Sequence, residues 1–190
     1  MRFIDFREKK ECMEEVRNLY EAAFPEDEKL PYPLLRLLAG KKNVHFYGVY
    51  EKESFVGMTY LICEKDWVFL FYFAVSEQVR GQGYGTRILR ALQRRYQDQK
   101  IVLCIEPLDE KSDNYEQRVK RKMFYERSGF RDLNYTIQEA GVEYEMFCWS
   151  RNGSSVDKEA YLGLIKRYLG RLLFHRVYEA QRGWRLGGIL

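Results

Sequence analysis

The chain has 190 residues, 46% of them hydrophobic and 16% aromatic, which is enough to bury one compact α/β core and argues against disorder. No uninterrupted apolar run approaches membrane-spanning length and the charged N-terminus lacks a signal-peptide core, so no transmembrane segment is expected and the expected location is cytoplasmic. The net charge of +4 sits in the tail, where residues 151–190 carry eight Lys/Arg against three Asp/Glu, so a nucleic-acid-binding reading of the main domain loses its footing.

In chain order, residues 8–24 read as a helix, with Met13, Val16, Leu19, Tyr20 and Ala23 at helical spacing and Pro25 as the stop. Glu26-Asp27-Glu28 and Pro31-Tyr32-Pro33 lead into a short second helix ending near Gly40. Val44–Glu51 and Phe55–Cys63 are β-rich and separated by a polar turn, which predicts a hairpin. Trp67–Val75 is a nearly unbroken apolar run, as in a strand covered on both faces. A Gly-rich loop follows, then a helix over 84–97 and a second buried strand, Ile101–Ile105, closed by Glu106-Pro107. Another helix begins at 111–114 and ends at Ser128 with Gly129 as a C-terminal stop. Thr136–Glu139 and Val142–Trp149 predict a closing hairpin around Ala140-Gly141. After a linker at 151–155, Asp157–Tyr178 reads as one amphipathic helix. Its stripe is Tyr161, Leu164, Ile165, Tyr168, Leu169, Leu172 and Leu173. The expected organisation is one domain over residues 1–150, with residues 151–190 a linker and a basic C-terminal helix.

The four cysteines, at 12, 63, 104 and 148, form no CxxC pair, and there are only two histidines, His45 and His175. That spread suits buried thiols rather than a disulfide framework or a zinc site, and no metal is expected.

The segment Arg80-Gly81-Gln82-Gly83-Tyr84-Gly85-Thr86 alternates glycines with other residues immediately before a helix. Glycine accepts positive φ and lets a ligand approach the backbone, and the first helical turn offers unpaired N–H groups to an anion. Arg80 adds a charge-assisted donor. Read alone, the loop is either a phosphate cradle or a plain strand-to-helix turn. A P-loop requires Lys-Ser/Thr after the last glycine, and here Thr86-Arg87 follows Gly85. A dinucleotide fingerprint requires a third glycine that neither frame supplies, although Glu106 stands about 20 residues on, where a ribose-binding acid would belong.

Two landmarks in order, Arg80-x-x-Gly83-x-Gly85 after the strand ending Phe73-Ala74-Val75, and Tyr125-x-x-x-Gly129-Phe130 closing a helix, resemble the GNAT (general N-acetyltransferase) superfamily. The likeness covers most of residues 1–150, and Glu106-Pro107 with Phe124–Arg127 looks most like small members from Gram-positive bacteria. The resemblance implies a mixed, mostly antiparallel central sheet flanked by helices, with an added C-terminal helix. It implies acetyl-CoA as acetyl donor, held by Phe73, Ala74, Val75 and Arg80 to Thr86 in a gap where two strands splay apart. Backbone groups of Phe73 and Val75 would pair with the pantetheine arm, and the Val75 N–H would polarise the thioester carbonyl. Tyr125 falls on the family's general acid, and its other reading is a core tyrosine beside Phe124 and Phe130.

The strand before the loop lacks the carboxylate that many family members use as base, so Glu106 is the expected replacement. Its alternative is a strand-end carboxylate in solvent or an ion pair. Arg118 stands where the family often has Asn, and Arg118, Lys120, Arg121 and Lys122 suit either CoA phosphates or a solvated helix face. The implied activity is direct acetyl transfer to a primary amine of a small molecule or peptide. The alternative is a non-catalytic acyl-CoA-binding or docking module. Glu26, Asp27, Glu28 and Tyr32 suit either a cationic acceptor or a solubilising loop, while the C-terminal stripe suits packing on the domain or on a second copy, which would make a homodimer, with a membrane surface or nucleic acid as the alternative for its basic residues.

Overall fold

The computed structural model describes residues 1–8, 13–26, 28–139 and 141–175. Asp27, Ala140, residues 9–12 of the expected first helix (Cys12 among them) and the expected helix end at Tyr178 lie outside the described residues, and Glu8, the expected helix start, lies in a turn. Seven strands form one sheet: β1 (Arg2–Asp5), β2 (Val44–Glu51), β3 (Ser54–Cys63), β4 (Trp67–Val75), β5 (Lys100–Ile105), β6 (Arg131–Glu139) and β7 (Val142–Trp149). Their spatial order is β1-β2-β3-β4-β5-β7-β6, and only β4 and β5 run parallel.

The helices are α1 (Met13–Ala23), α2 (Tyr32–Ala39), α3 (Tyr84–Arg95), α4 (Tyr115–Arg127), α5 (Lys158–Leu169) and α6 (Arg171–Phe174). They divide between the two faces of the sheet. Val16 and Tyr20 of α1, Leu35 of α2 and Tyr161, Leu164 and Ile165 of α5 share one core with Phe46, Tyr60 and Phe69. Ile88, Leu89 and Leu92 of α3 and Tyr125 of α4 share the other with Val68, Leu103 and Phe147. The central strands are covered on both sides, which is why β4 reads as an unbroken apolar run.

Three elements depart from the sequence expectation. Strand β1 pairs along β2 (Phe3 with Val49, Ile4 with Gly48) and is too short to show a period. Strand β6 starts at Arg131, five residues early, because its polar first half pairs through a register shift between Asp132 and Thr136, with Asn134 at φ +57°. The tail helix is broken in two at Gly170, whose φ of +79° cannot continue an α-helix. The break ends the apolar stripe, leaving Leu172 85% exposed.

Helix α5 packs on the sheet. Asp157 caps it by accepting from the Ala160 N–H at 2.7 Å, the Tyr60 and Tyr168 hydroxyls meet at 2.8 Å, and the Tyr161 ring stands edge-on to Phe69. Truncating Ile165, which is buried in this core, is therefore expected to cost about 2–5 kcal/mol as Ile165→Ala. Leu172→Ala is expected to stay within about 0.5 kcal/mol of the parent. Equilibrium urea unfolding of the two variants measures the difference.

Candidate active site

Strands β4 and β5 pair only over Trp67–Lys100, Val68–Ile101 and Phe69–Val102. Beyond Phe69 they part, β4 staying on β3 as far as Val75 and β5 staying on β7 as far as Ile105. Where β3 and β4 shift register between Tyr60 and Leu61, β4 carries one extra residue, Phe71, and such a bulge bends its strand. Gly57 seats the far end of β4 closely, since a Cβ there would lie 2.5 Å from the Ala74 carbonyl oxygen. The Ser76 N–H donates to the Val56 carbonyl on the β3 side. By strand alternation the backbone groups of Phe73 and Val75 face the opening, while those of Ala74 face β3.

The Gly-rich loop lies at the end of β4. Gly81 and Gly83 both take φ +77°, and Gly83 caps α3 in the left-handed region. A side chain at either would meet nothing within 4 Å, so backbone conformation, not crowding, calls for glycine there. Gly85 differs: a Cβ would lie 3.1 Å from the Phe124 ring, so its absence sets the spacing of α3 against α4. The N–H groups of Gly83, Tyr84, Gly85 and Thr86 donate to no acceptor among the described residues, as expected for a first helical turn. Arg80 is exposed and its Nε donates to the Val75 carbonyl at 3.3 Å, and Gln82 is exposed beside it. Phe73 stacks near Phe124, with ring centroids 6.4 Å apart.

Between the parted strands lies a cavity of about 280 Å³. Its walls are β4 (Leu70 to Phe73), β5 (Leu103 to Ile105) with Glu106, the α1–α2 connection (Phe24, Pro25, Glu28), α4 (Asn114, Gln117, Arg121, Tyr125) and the last hairpin (Glu139, Tyr144). Tyr125 and Glu106 are thus brought to one space, with Phe73 at its edge, whereas Arg80 to Thr86 lie beyond it at the strand end.

Tyr125 is 9% exposed, its ring touches Phe124 and Phe130, and its hydroxyl has no hydrogen-bond partner among the described residues. Burial pushes its phenol well above the ordinary value, while the Arg121 charge pulls the other way. Burial, reinforced by Glu139 and Glu28, also raises the Cys104 thiol well above its ordinary value, so this cavity cysteine stays protonated.

Glu106 is 6% exposed and bridges two arginines. The Arg118 Nη2 lies 2.5 Å from its Oε1 and the Arg121 Nη1 donates to its Oε2 at 2.8 Å. Arg118 is pinned further by the Asn114 side chain and the Pro107 carbonyl, at 2.7 and 2.9 Å. Lys122 pairs with Glu145 at 2.7 Å and Lys120 with Glu116 at 3.6 Å. Arg118, Arg121 and Lys122 are thus partly buried against carboxylates, whereas Lys120 is 77% exposed. Of the acidic and aromatic residues expected at the acceptor end, Glu28 lines the cavity. Glu26 pairs with Lys29, and Tyr32 is buried with its hydroxyl on the Met13 carbonyl. Sequence reading missed Gln117, Glu139 and Tyr144, and offered Arg121 for CoA phosphates or a solvated face rather than for this cavity. The spacing of Asn114, Gln117, Arg121 and Tyr125 along one helical face was the signal available for Gln117.

A sheet opened between two parallel strands, with unpaired helix-start amides at its mouth, defines the acyl-CoA N-acyltransferase fold. The chain matches the acetyltransferase (GNAT) domain model over residues 42–132. It is 31% identical over 84 residues to "Putative acetyltransferase YjbC" of Bacillus subtilis (strain 168), a match covering 44% of this chain and 41% of that protein. In fold it is similar to a GNAT-family protein of Bacteroides thetaiotaomicron (TM-score 0.73, 20% identity, 92% of this chain and 98% of that one). It is also similar to an aminoglycoside 6'-N-acetyltransferase complexed with coenzyme A (TM-score 0.60, 16% identity, 78% and 96%). No group of metal-ligating side chains and no helix long and apolar enough to cross a membrane occurs among the described residues.

Burial raises the phenols of Tyr20, Tyr60, Tyr72, Tyr125 and Tyr168 together. The folded chain then keeps protons that the unfolded chain releases above about pH 10, so their contribution is intact below that value and lost as pH rises beyond it. The urea midpoint is expected to fall between about pH 9 and about pH 11, and less steeply in Tyr125→Phe. Unfolding curves across that range test both statements.

Proposed function

We propose that this chain transfers the acetyl group of acetyl-CoA directly to a primary amine in the cavity between β4 and β5. The observation that carries the reading is the parting of these strands after Phe69, which exposes the backbone edge of Phe73 and Val75 beside the largely buried Tyr125, whose hydroxyl has no partner among the described residues. The residues fit the donor. The loop amides of Gly83 to Thr86 and the Arg80 guanidinium hold the pyrophosphate, and the β4 edge pairs with the pantetheine amides as an added strand. The Val75 N–H faces the thioester carbonyl and stabilises charge on its oxygen.

Tyr125 donates its proton to the departing sulfur, a role for which a phenol kept neutral by burial is suited. Glu106 takes the proton of the attacking amine through water, using lone pairs that the two guanidinium groups leave over. A second reading, an acyl-CoA-binding module without turnover, is favoured by the same ion pairs, since both Glu106 oxygens already hold a cation.

Calorimetry with acetyl-CoA is expected to show saturable binding that Gly83→Trp abolishes; binding absent or unchanged would defeat both readings. Acetylation of a panel of polyamines, aminoglycosides, amino acids and peptide N-termini separates the two, since a module leaves every amine untouched. On any amine that turns over, Tyr125→Phe and Glu106→Gln are each expected to lower kcat on the order of 10²–10⁴-fold. Full activity in either variant, with chemistry rate-limiting, removes that residue from its assigned role.

A further inference from the structure

Arg121 stands one turn before Tyr125 on α4, and side chains four residues apart on a helix are neighbours, with about 5–6 Å between their Cβ atoms. Both line the cavity, as does Glu106. One Arg121 nitrogen is spent on Glu106; its Nε and Nη2 have no partner among the described residues. Glu106 in turn is shared with Arg118, so one carboxylate faces two guanidinium groups and the cluster keeps a net positive charge beside the phenol. Of the groups in contact with Tyr125, Phe124 and Phe130 are apolar and Cys104 is held as a neutral thiol, while the carboxylates Glu28 and Glu139 line the same cavity.

We infer that Arg121 is a positioning residue acting through Tyr125: its charge, aimed by Glu106, stabilises the phenolate that forms when Tyr125 gives up its proton. The inference rests on the acetyl transfer proposed above. In that reaction the amine lone pair forms the C–N bond and the carbonyl π pair moves to oxygen. That pair then returns, the C–S bond breaks with its electrons going to sulfur, and sulfur takes the Tyr125 proton. The proton that Glu106 takes from the amine nitrogen passes on through water to the phenolate, leaving CoA thiol and N-acetyl product with no net change in the chain. A phenolate buried among Phe124, Phe130 and a neutral thiol is costly without a nearby cation, and Arg121 is the cation that shares its helix face.

The test is a double-mutant cycle on an amine from the panel, with Arg121→Gln and Tyr125→Phe alone and combined. Gln keeps a donor for Glu106 and removes the charge. Arg121→Gln is expected to lower kcat on the order of 10²-fold with the acetyl-CoA KM unchanged, and to cost less than about twofold on the residual turnover of Tyr125→Phe. Arg121→Lys, which keeps the charge, is expected to recover most of the loss. Equal losses in both backgrounds, or a loss confined to KM, would overturn the inference and leave the transfer reading standing. A wild-type chain that acetylates no amine overturns both. Should Arg121→Gln fail to fold, the same cycle run with Arg121→Met, which removes the charge and keeps the length of the side chain, decides by the same criterion of non-additivity.

Discussion

The hydrogen bonds that β4 does not make after Phe69 organise this protein. A parallel pair that ran its full length would bury the edge of Phe73 and Val75 in a ladder and leave no room between the sheet halves. Each half is instead anchored outward, β4 on β3 through Val75–Gly57 and β5 on β7 through Ile105–Glu145. The extra residue at Phe71 and the missing side chain at Gly57 are local devices for that divergence. What the opening exposes is a strand edge, normally a liability, here left beside the cavity between the sheet halves.

The divergence also dictates the electrostatics of the wall. A carboxylate at the end of β5 is drawn into the cleft, where it is 6% exposed and would be costly alone. Arg118 and Arg121 resolve that cost, and Arg118 is fixed in turn by Asn114 and Pro107. Such a network is demanding: removing one cation leaves a buried charge short of a partner, whereas the whole set is satisfied. The same arrangement delivers positive charge to the foot of a phenol that has no hydrogen bond of its own. Structural need and chemical use thus meet in Arg121.

Much of this was legible in the residues. The apolar run Trp67–Val75 and the glycines before Tyr84 marked the two elements that meet at the site, because burial on both faces and positive φ leave direct traces in composition. Tyr125 was legible through its place in the Tyr-x-x-x-Gly-Phe pattern. The fate of Glu106 was not, since an ion pair between a strand end and a helix depends on how α4 lies over β5, which no local pattern encodes. For the same reason the partly buried pair of Lys122 with Glu145 left no trace in the local pattern. The break at Gly170 escaped notice because the apolar period runs through it, and a single backbone angle decides the outcome.

The C-terminal helix enters the same logic. Of the two packings its apolar stripe suits, on the domain or on a second copy, the first is found: the stripe closes the core against Phe69 and Tyr60, on the face of the sheet opposite α3 and α4. The Tyr161 hydroxyl hydrogen-bonds Glu139, a residue of the cavity wall. Lys41 donates to the Tyr168 and Arg167 carbonyls, tying the end of α5 to the segment after α2. Phe69 is the last β4 residue still paired with β5, so the helix bears on the strand at the point where the sheet opens. A segment that sequence sets apart as a tail is, physically, part of what holds the cleft in shape.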